Sequence, residues 1–182
     1  MKKFFIALFV FFAAFASAQE VIDFMGIPID GTKADVLAKL KEKGFRETDN
    51  PNTLEGMLDD IPVEAIVLEN TRVNVYGIEL RHEMGCDEAE AIERYNSLLL
   101  KFRNDPKYND GFSELIPEGE PIAQRLRSDT NVYTAYFTQA GSHGYVHVKL
   151  RKTNNWKDEE RYQKAHFVIY IEYSNANNSP RG

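Results

Sequence analysis

The sequence predicts an α+β fold, in which two main helices pack on one face of an antiparallel sheet. Two capped amphipathic segments, after Thr32 and after Asp87, have the spacing of apolar residues that is typical of a helix. Turns of a few residues separate β-prone runs in much of the remaining chain. These connections are too short for the crossovers that parallel strands need, so we expect antiparallel strands. The order of elements also suggests two crude helix-then-strand repeats, over 22–82 and 87–174.

Residues 1–18 have the pattern of a secretory signal peptide. Two lysines precede a continuous apolar run over 4–15, and Ala16-Ser17-Ala18 is a small-x-small cleavage site. The run is shorter than the roughly 20 apolar residues that a membrane-spanning helix needs. Cleavage after Ala18 predicts an exported protein, periplasmic or extracellular, with a single domain over 19–174.

The net charge and the cysteine count limit the kinds of partner and the kind of fold that we expect. The chain has a net charge of −6, and removing residues 1–18, which hold two lysines and no acids, makes it −8. An acidic surface disfavours nucleic acid and anionic membranes as partners. The single cysteine, Cys86, excludes a disulfide framework within the chain. It is a reactive thiol, one half of an intermolecular disulfide, or a small buried residue in a strand-to-helix turn, and the last interpretation is favoured.

The opening unit is predicted to be a short strand from Phe24, a turn and the first helix. Pro28 lacks a backbone N–H, which places the strand at a sheet edge. Thr32 is an N-cap residue with Asp35 three residues later, close to a capping box. Gly44 suits the left-handed position that ends a helix.

Four further strands are expected before the second helix, joined as an antiparallel meander. Asp59-Asp60 and Glu69-Asn70 have the composition of turns. Gly77 suits a β-bulge in the last of these strands. The strands are predicted over 45–47, 54–58, 63–68 and 73–80.

The second helix is predicted to be the longer one. Asp87 is its N-cap, with Glu90 three residues later, and the run Asn104-Asp105-Pro106 ends it. It is expected to contribute more to the core than the first helix. Its apolar stripe consists of Ile92, Tyr95, Leu99 and Phe102.

The last third is expected to be mainly sheet, with a hairpin loop over 140–144. One helical turn is predicted over 158–162, inside the charged segment 152–163, and the Asn-rich end, 175–182 with Ser174 before it, is expected to be disordered. Weak strand patterns at 112–116 and 122–127 flank a rigid acidic loop over 117–121, and strong ones cover 132–140, 145–151 and 166–173.

No motif in the sequence predicts a metal site or a cofactor. His143 and His147 are four residues apart, which on a strand separates them by about 13 Å. His147 is expected to be a half-exposed sheet residue, and neither His82 nor His166 belongs to a metal-binding motif. Segment 105–111 has oxygen ligands near a glycine but not the spacing of a calcium loop, so it is predicted to be a turn.

Catalytic residues are not predicted either. Ser113, Ser128 and Ser142 lack the Gly-x-Ser-x-Gly context of a nucleophile elbow. The neighbouring carboxylates at 59–60 and 118–120 fall in predicted loops, whereas glycoside hydrolysis needs two carboxyls that face each other across a cleft. The sequence therefore favours a protein that is not an enzyme.

Aromatic residues are concentrated in the last third. Tyrosine offers contact area and a polar tip at low entropic cost, so such a concentration suggests a binding face. The alternative is that these residues form ordinary core. The set is Tyr133, Phe137, Tyr145, Trp156, Tyr162, Tyr170 and Tyr173.

The opening unit also carries a resemblance to known families. Its run Gly-Ile-Pro-Ile-Asp-Gly-Thr, its helix with Val36, Leu37 and Leu40, and its Gly44-Phe45 end resemble the start of small secreted proteins from Bacteroidetes. More distantly, it is similar to the helix-then-strands units of the SmpA/OmlA outer-membrane assembly lipoproteins and the β-lactamase inhibitory proteins. The lipobox cysteine and the paired cysteines of these two families are absent.

Three hypotheses about function follow from the sequence. The preferred hypothesis is an exported, non-enzymatic protein that binds another protein or an envelope component through a sheet face. The alternatives are a hydrolase of cell-wall or glycan material and, from the resemblance, an inhibitor of a secreted enzyme.

Overall fold

The computed structural model describes residues 21–50, 52–84, 87–153 and 166–180. Over these ranges the chain has an α+β fold, which confirms the predicted class. In chain order the elements are β1 Asp23–Phe24, β2 Ile27–Pro28, α1 Lys33–Glu42, β3 Arg46–Glu47, β4 Thr53–Leu58, β5 Ile61–Glu69, β6 Val75–Met84, α2 Glu88–Asn104, β7 Tyr108–Phe112, α3 Ile122–Ser128, β8 Thr134–Gln139, β9 Gly144–Thr153 and β10 His166–Asn175.

The main sheet has eight strands, in the order β3-β4-β5-β6-β10-β9-β8-β7, and every described pair is antiparallel. Helix α1 precedes the meander β3 to β6, and α2 precedes β7 to β10. The last strand of each meander, β6 or β10, lies at the centre of the sheet, where the two pair with each other. Each half is therefore a helix followed by four strands, with α3 inserted between β7 and β8.

The helices and the sheet share one hydrophobic core. Along β8, Ala135 and Phe137 are fully buried, whereas Thr134 and Tyr136, which alternate with them, are half-buried. The Phe102 ring of α2 stacks on Phe137 with centroids 5.0 Å apart. Since successive strand residues point to opposite faces, Phe137 marks the helix-covered side. We call this side the inner face and the opposite side the open face.

The predicted helix caps are present. The Thr32 side chain accepts a hydrogen bond from the Asp35 backbone N–H at 3.2 Å, and Asp87 accepts one from Glu90 at 2.9 Å. Gly44 has a φ of +95°, which is the left-handed conformation expected after α1. The apolar stripe predicted for α2 is buried, so this helix packs by the face that its sequence pattern indicates.

Two predicted strands are wrong. Residues 122–127 form helix α3. Ile122 and Leu126 are buried, but Gln124, which a strand would place on the same face, is exposed, so burial follows the helical period. Only Phe112 of segment 112–116 lies in a strand, since β7 ends there. The start of the chain also differs from the single strand expected from Phe24. Met25 and Gly26 have positive φ and turn it into the β1–β2 hairpin.

The end of the chain, which the sequence predicts to be disordered, is ordered up to Pro180. Ser174 and Asn175 complete β10 and are buried. Asn175 Nδ2 donates to the Ile29 carbonyl at 2.9 Å, and Asn178 Nδ2 donates to the Val75 carbonyl at 3.0 Å. The asparagine side chains thus satisfy backbone carbonyls from distant parts of the fold. The helical turn predicted over 158–162 lies outside the described residues.

Candidate functional site

The open face brings together rings and charges from four neighbouring strands. Tyr136 of β8 pairs with His147 of β9, and Lys149 of β9 pairs with Tyr170 of β10. Tyr170 pairs in turn with Arg81 of β6. Each of these residues alternates with a buried inner-face neighbour, so they share the open face. The three helices contribute to the core on the inner face, so none of them covers this surface.

Three rings form a compact group at one end, which we call the Tyr–His cluster. It consists of Tyr136, Tyr145 and His147, all half-buried. The Tyr136 and Tyr145 centroids are 5.6 Å apart, and the His147 centroid lies 5.1 Å from that of Tyr136 and 4.9 Å from that of Tyr145. These separations lie in the range of favourable aromatic contacts, so the rings support one another while their outer edges meet solvent.

A shallow groove of about 370 Å³ adjoins the cluster, and we call it the basic groove. Arg81 lies beside it, with its guanidinium carbon 5.6 Å from the centre of the Tyr170 ring and its Nε donating to Glu79 at 2.8 Å. Cations outnumber carboxylates here, although the whole chain is acidic. The groove is lined by Glu79, His147, Lys149, Arg151, Lys152, Tyr170 and Glu172.

Electrostatics keep two groups of this face uncharged near neutral pH. Burial and the nearby Lys149 ammonium lower the pKa of His147, so its imidazole is neutral. Burial and the carboxylates of Glu172 and Glu79 raise the pKa of Tyr76, so its hydroxyl remains a donor. Chemically, the face offers neutral hydrogen-bonding rings beside fixed cations, which suits recognition of a polar or acidic surface.

The carboxylates of the basic groove are occupied by neighbours. Glu79 and Glu172 pair across β6 and β10 on the same face. Glu79 accepts from Arg81, and Glu172 accepts from the Ser174 hydroxyl at 2.7 Å. A glycosidase needs one carboxyl held protonated beside an ionised one. Here Glu79 is ion-paired with Arg81 and Glu172 accepts from a hydroxyl, and neither interaction holds a carboxyl in its protonated form.

Two of the three serines that the sequence analysis names, Ser113 and Ser142, have hydrogen-bond partners within the fold. Ser113 is buried, donates to Asp110 at 2.7 Å and accepts from Arg103 Nε at 2.6 Å. This cluster has no imidazole that could act as a base. Ser142 lies in the β8–β9 hairpin loop, where its hydroxyl donates to the Gln139 carbonyl at 3.2 Å.

The histidines are dispersed through the fold. His82 is buried on the inner face, His143 is exposed in a hairpin loop, and His147 is half-buried on the open face, as predicted. Among the described residues, no three histidine, cysteine, aspartate or glutamate side chains lie close enough to hold a metal ion. Cys86 and the side chain of His166 lie outside the described part of the chain.

The predicted aromatic set divides between the two faces. Tyr133, Phe137 and Tyr173 are core residues, whereas Tyr145 and Tyr170 lie half-buried on the open face. Trp156 and Tyr162 lie outside the described residues. Tyr136, Arg81 and Arg151 of the open face are not among the residues that the sequence predicts to bind. The alternation of apolar and polar residues along β9 could have placed Arg151 on the open face with His147 and Lys149. Tyr136 and Arg81 belong to other strands, and only the strand register brings them to the same surface.

Comparison with known proteins gives no information on the role of these residues. No protein-family model, curated protein or solved structure matches this chain. The resemblance of the opening unit to secreted and envelope families therefore stays a prediction. In the part of the chain that the structure describes, no helix combines the length and apolarity needed to cross a bilayer.

Proposed function

We propose that this chain is an exported, non-enzymatic binding protein whose open face contacts another protein or an envelope component. The observation that carries the proposal is the position of the Tyr–His cluster directly beside the basic groove, on a sheet face that the described helices leave uncovered. Tyrosine and arginine are the residues most enriched where interfaces gain their affinity.

The side chains of this face are held in place before any partner arrives. Arg81 is fixed by its ion pair with Glu79 and by the ring of Tyr170. The three rings of the Tyr–His cluster restrict one another in the same way. Binding then costs little additional side-chain entropy, which raises the affinity obtained from a given contact area.

Charge indicates the kind of surface that fits. Lys149 forms no ion pair with any described residue, although its half-buried side chain lines the basic groove. A carboxylate or phosphate on a partner could form an ion pair with Lys149 without breaking an existing one. The signal-peptide pattern over 1–18 supports a location outside the cytoplasm, where such a partner would be met.

Site-specific photocrosslinking tests the proposal. A benzoylphenylalanine residue replaces Tyr145 on the open face, and the matched control replaces Lys39, which is exposed on α1. We expect a discrete crosslinked species in the cell envelope from position 145 and not from position 39. The same species from both positions, or none from 145, would contradict the proposal.

Binding measurements with the isolated partner give the second test. Tyr145→Ser combined with Lys149→Glu should weaken binding at least tenfold, because truncating an interface anchor costs about 2 kcal/mol or more. Lys43→Glu, a charge reversal at an exposed position after α1, should leave binding unchanged. Equal affinity of the two variants would show that the partner is bound elsewhere.

A further inference from the structure

We propose that a second groove, between α2 and the inner face of the sheet, binds a neutral, largely apolar small molecule that carries a hydrogen-bond acceptor. This groove has a volume of about 330 Å³. It lies on the other side of the sheet from the open face, so it does not depend on the function proposed above. Its lining includes Val63, His82, Arg94, Leu98, Ile169 and Ile171.

The floor of this inner groove is apolar. Val63 of β5 and Ile169 and Ile171 of β10 are nearly fully buried, and Leu98 of α2 faces them across the groove. A lining of this kind favours a ligand with an apolar body. The volume is at the lower end of the roughly 300–1,000 Å³ that is usual for small-molecule sites. The size therefore suits one or two fused rings or a short acyl chain.

Both cations at the rim of this groove have carboxylate partners. Arg94 is ion-paired with Glu90 on the same helix, and Lys101 is ion-paired with Asp59 of the β4–β5 turn. Glu93, which is exposed and also lines the groove, has no ion pair among the described residues. An anion would compete with Glu90 or Asp59 for these cations, whereas a neutral molecule leaves both pairs intact. Together with the apolar floor, this arrangement favours a neutral ligand.

His82 provides the polar group that orients the ligand. Its side chain lines the groove and the residue is only 5% exposed. Arg94 Nη1 lies 3.2 Å from His82 Nε2. Arginine can only donate, so Nε2 accepts and the proton of the neutral ring lies on Nδ1.

The Nδ1–H group of His82 has no acceptor among the described residues. A buried donor without a partner is costly, and this cost is removed when a ligand supplies an acceptor. A ketone, ester or amide carbonyl would provide it. Apolar walls, paired rim cations and one donor in need of an acceptor together define the ligand class.

Fluorescence titration with prodan tests the proposal. Prodan is a neutral dimethylaminonaphthalene that carries one ketone, and its emission shifts to the blue in apolar surroundings. The wild-type chain should bind it saturably. Ser97→Phe, which places a ring at an exposed helix position lining the groove, should weaken binding at least tenfold. Leu100→Phe, at an exposed position of α2 outside the lining, is the matched control and should change the affinity less than twofold.

The acceptor is tested separately. His82→Phe keeps a ring of similar size but removes the donor, so prodan affinity should fall about fivefold, the usual effect of one hydrogen bond. The same naphthalene without its ketone should bind the wild type and this variant equally well. Methyl NMR of the wild type should show prodan-induced shifts at Val63, Ile169 and Ile171. Non-saturable binding, equal affinity of Ser97→Phe and wild type, or shifts confined to other methyl groups would overturn the proposal.

Discussion

The inner and open faces of the sheet are built from the same strands but have different roles. On β8, Phe137 is fully buried against Phe102, while Tyr136, one residue earlier, meets solvent beside Tyr145 and His147. Both residues are aromatic and both have ring neighbours at similar distances. The difference is that the described helices cover the inner face and leave the open face uncovered. An aromatic ring on the covered face is fully buried in the core, and one on the open face keeps part of its surface in contact with solvent.

Substitution of the neighbours Phe137 and Tyr136 tests this contrast most strongly. Phe137→Ala should lower the free energy of unfolding by about 3–5 kcal/mol, because it removes a buried ring and leaves a cavity. Tyr136→Ala should cost only about 1 kcal/mol, since it loses ring contacts but little buried area. Urea unfolding followed by circular dichroism measures both values. Equal losses would mean that the open face is covered as well.

Close packing on the inner face predicts the next largest effect. An added Cβ at Gly144 would overlap the side chain of Ile22, so Gly144→Ala should cost about 1–3 kcal/mol. Adding Ile22→Val should recover little of that loss, because valine keeps the Cβ and Cγ2 atoms that lie nearest to the added Cβ. The exposed neighbour His143 is the control, because His143→Ala should change stability by less than about 0.5 kcal/mol. A neutral Gly144→Ala would show that the β1–β2 hairpin can move away from β9.

Helix caps give a smaller effect on the covered side. Asp87→Ala removes the acceptor for the Glu90 N–H and should lower the free energy of unfolding by about 1 kcal/mol. Asp87→Asn retains an acceptor and should keep most of that stability. Calorimetry of the two variants separates the cap from the general effect of charge. A loss as large in the asparagine variant would point to the carboxylate charge instead.

The pH dependence of stability should involve both faces. His82 on the inner face has a lowered pKa because of burial and the nearby Arg94, and the pKa of His147 is lowered by burial and Lys149. The unfolded chain then takes up protons first as the pH falls below the ordinary histidine pKa of 6.5. Stability must therefore decrease between pH 7 and pH 5.

Histidine variants measure this decrease. His82→Phe and His147→Phe should each reduce the difference between the urea midpoints at pH 7 and pH 5. The exposed loop residue His143 provides the control, since His143→Phe should leave that difference as it is in the wild type. An unchanged difference in both of the first two variants would contradict the assigned environments.

Local sequence signals predicted the two main helices and most strands because the causes of these elements are local. Thr32 and Asp87 cap the helices through hydrogen bonds to residues three positions away. The stripe of α2 follows the helical period, and the strands after residue 130 follow their β-propensity. The expectation failed where packing outweighed weak propensity, as in α3. It also failed at the end of the chain, where Asn175 and Asn178 bond to residues far away in the sequence.

The sequence alone determined the α+β class, the two main helices and the antiparallel connections, since capping, periodicity and turn length act over a few residues. Only the tertiary structure decided which strands are neighbours, and therefore that Arg81 lies over Tyr170 and that Tyr136 joins His147. Strand register depends on contacts between residues about ninety positions apart or more, such as Arg81 and Tyr170, and no local pattern encodes it. Both candidate binding surfaces are products of that register.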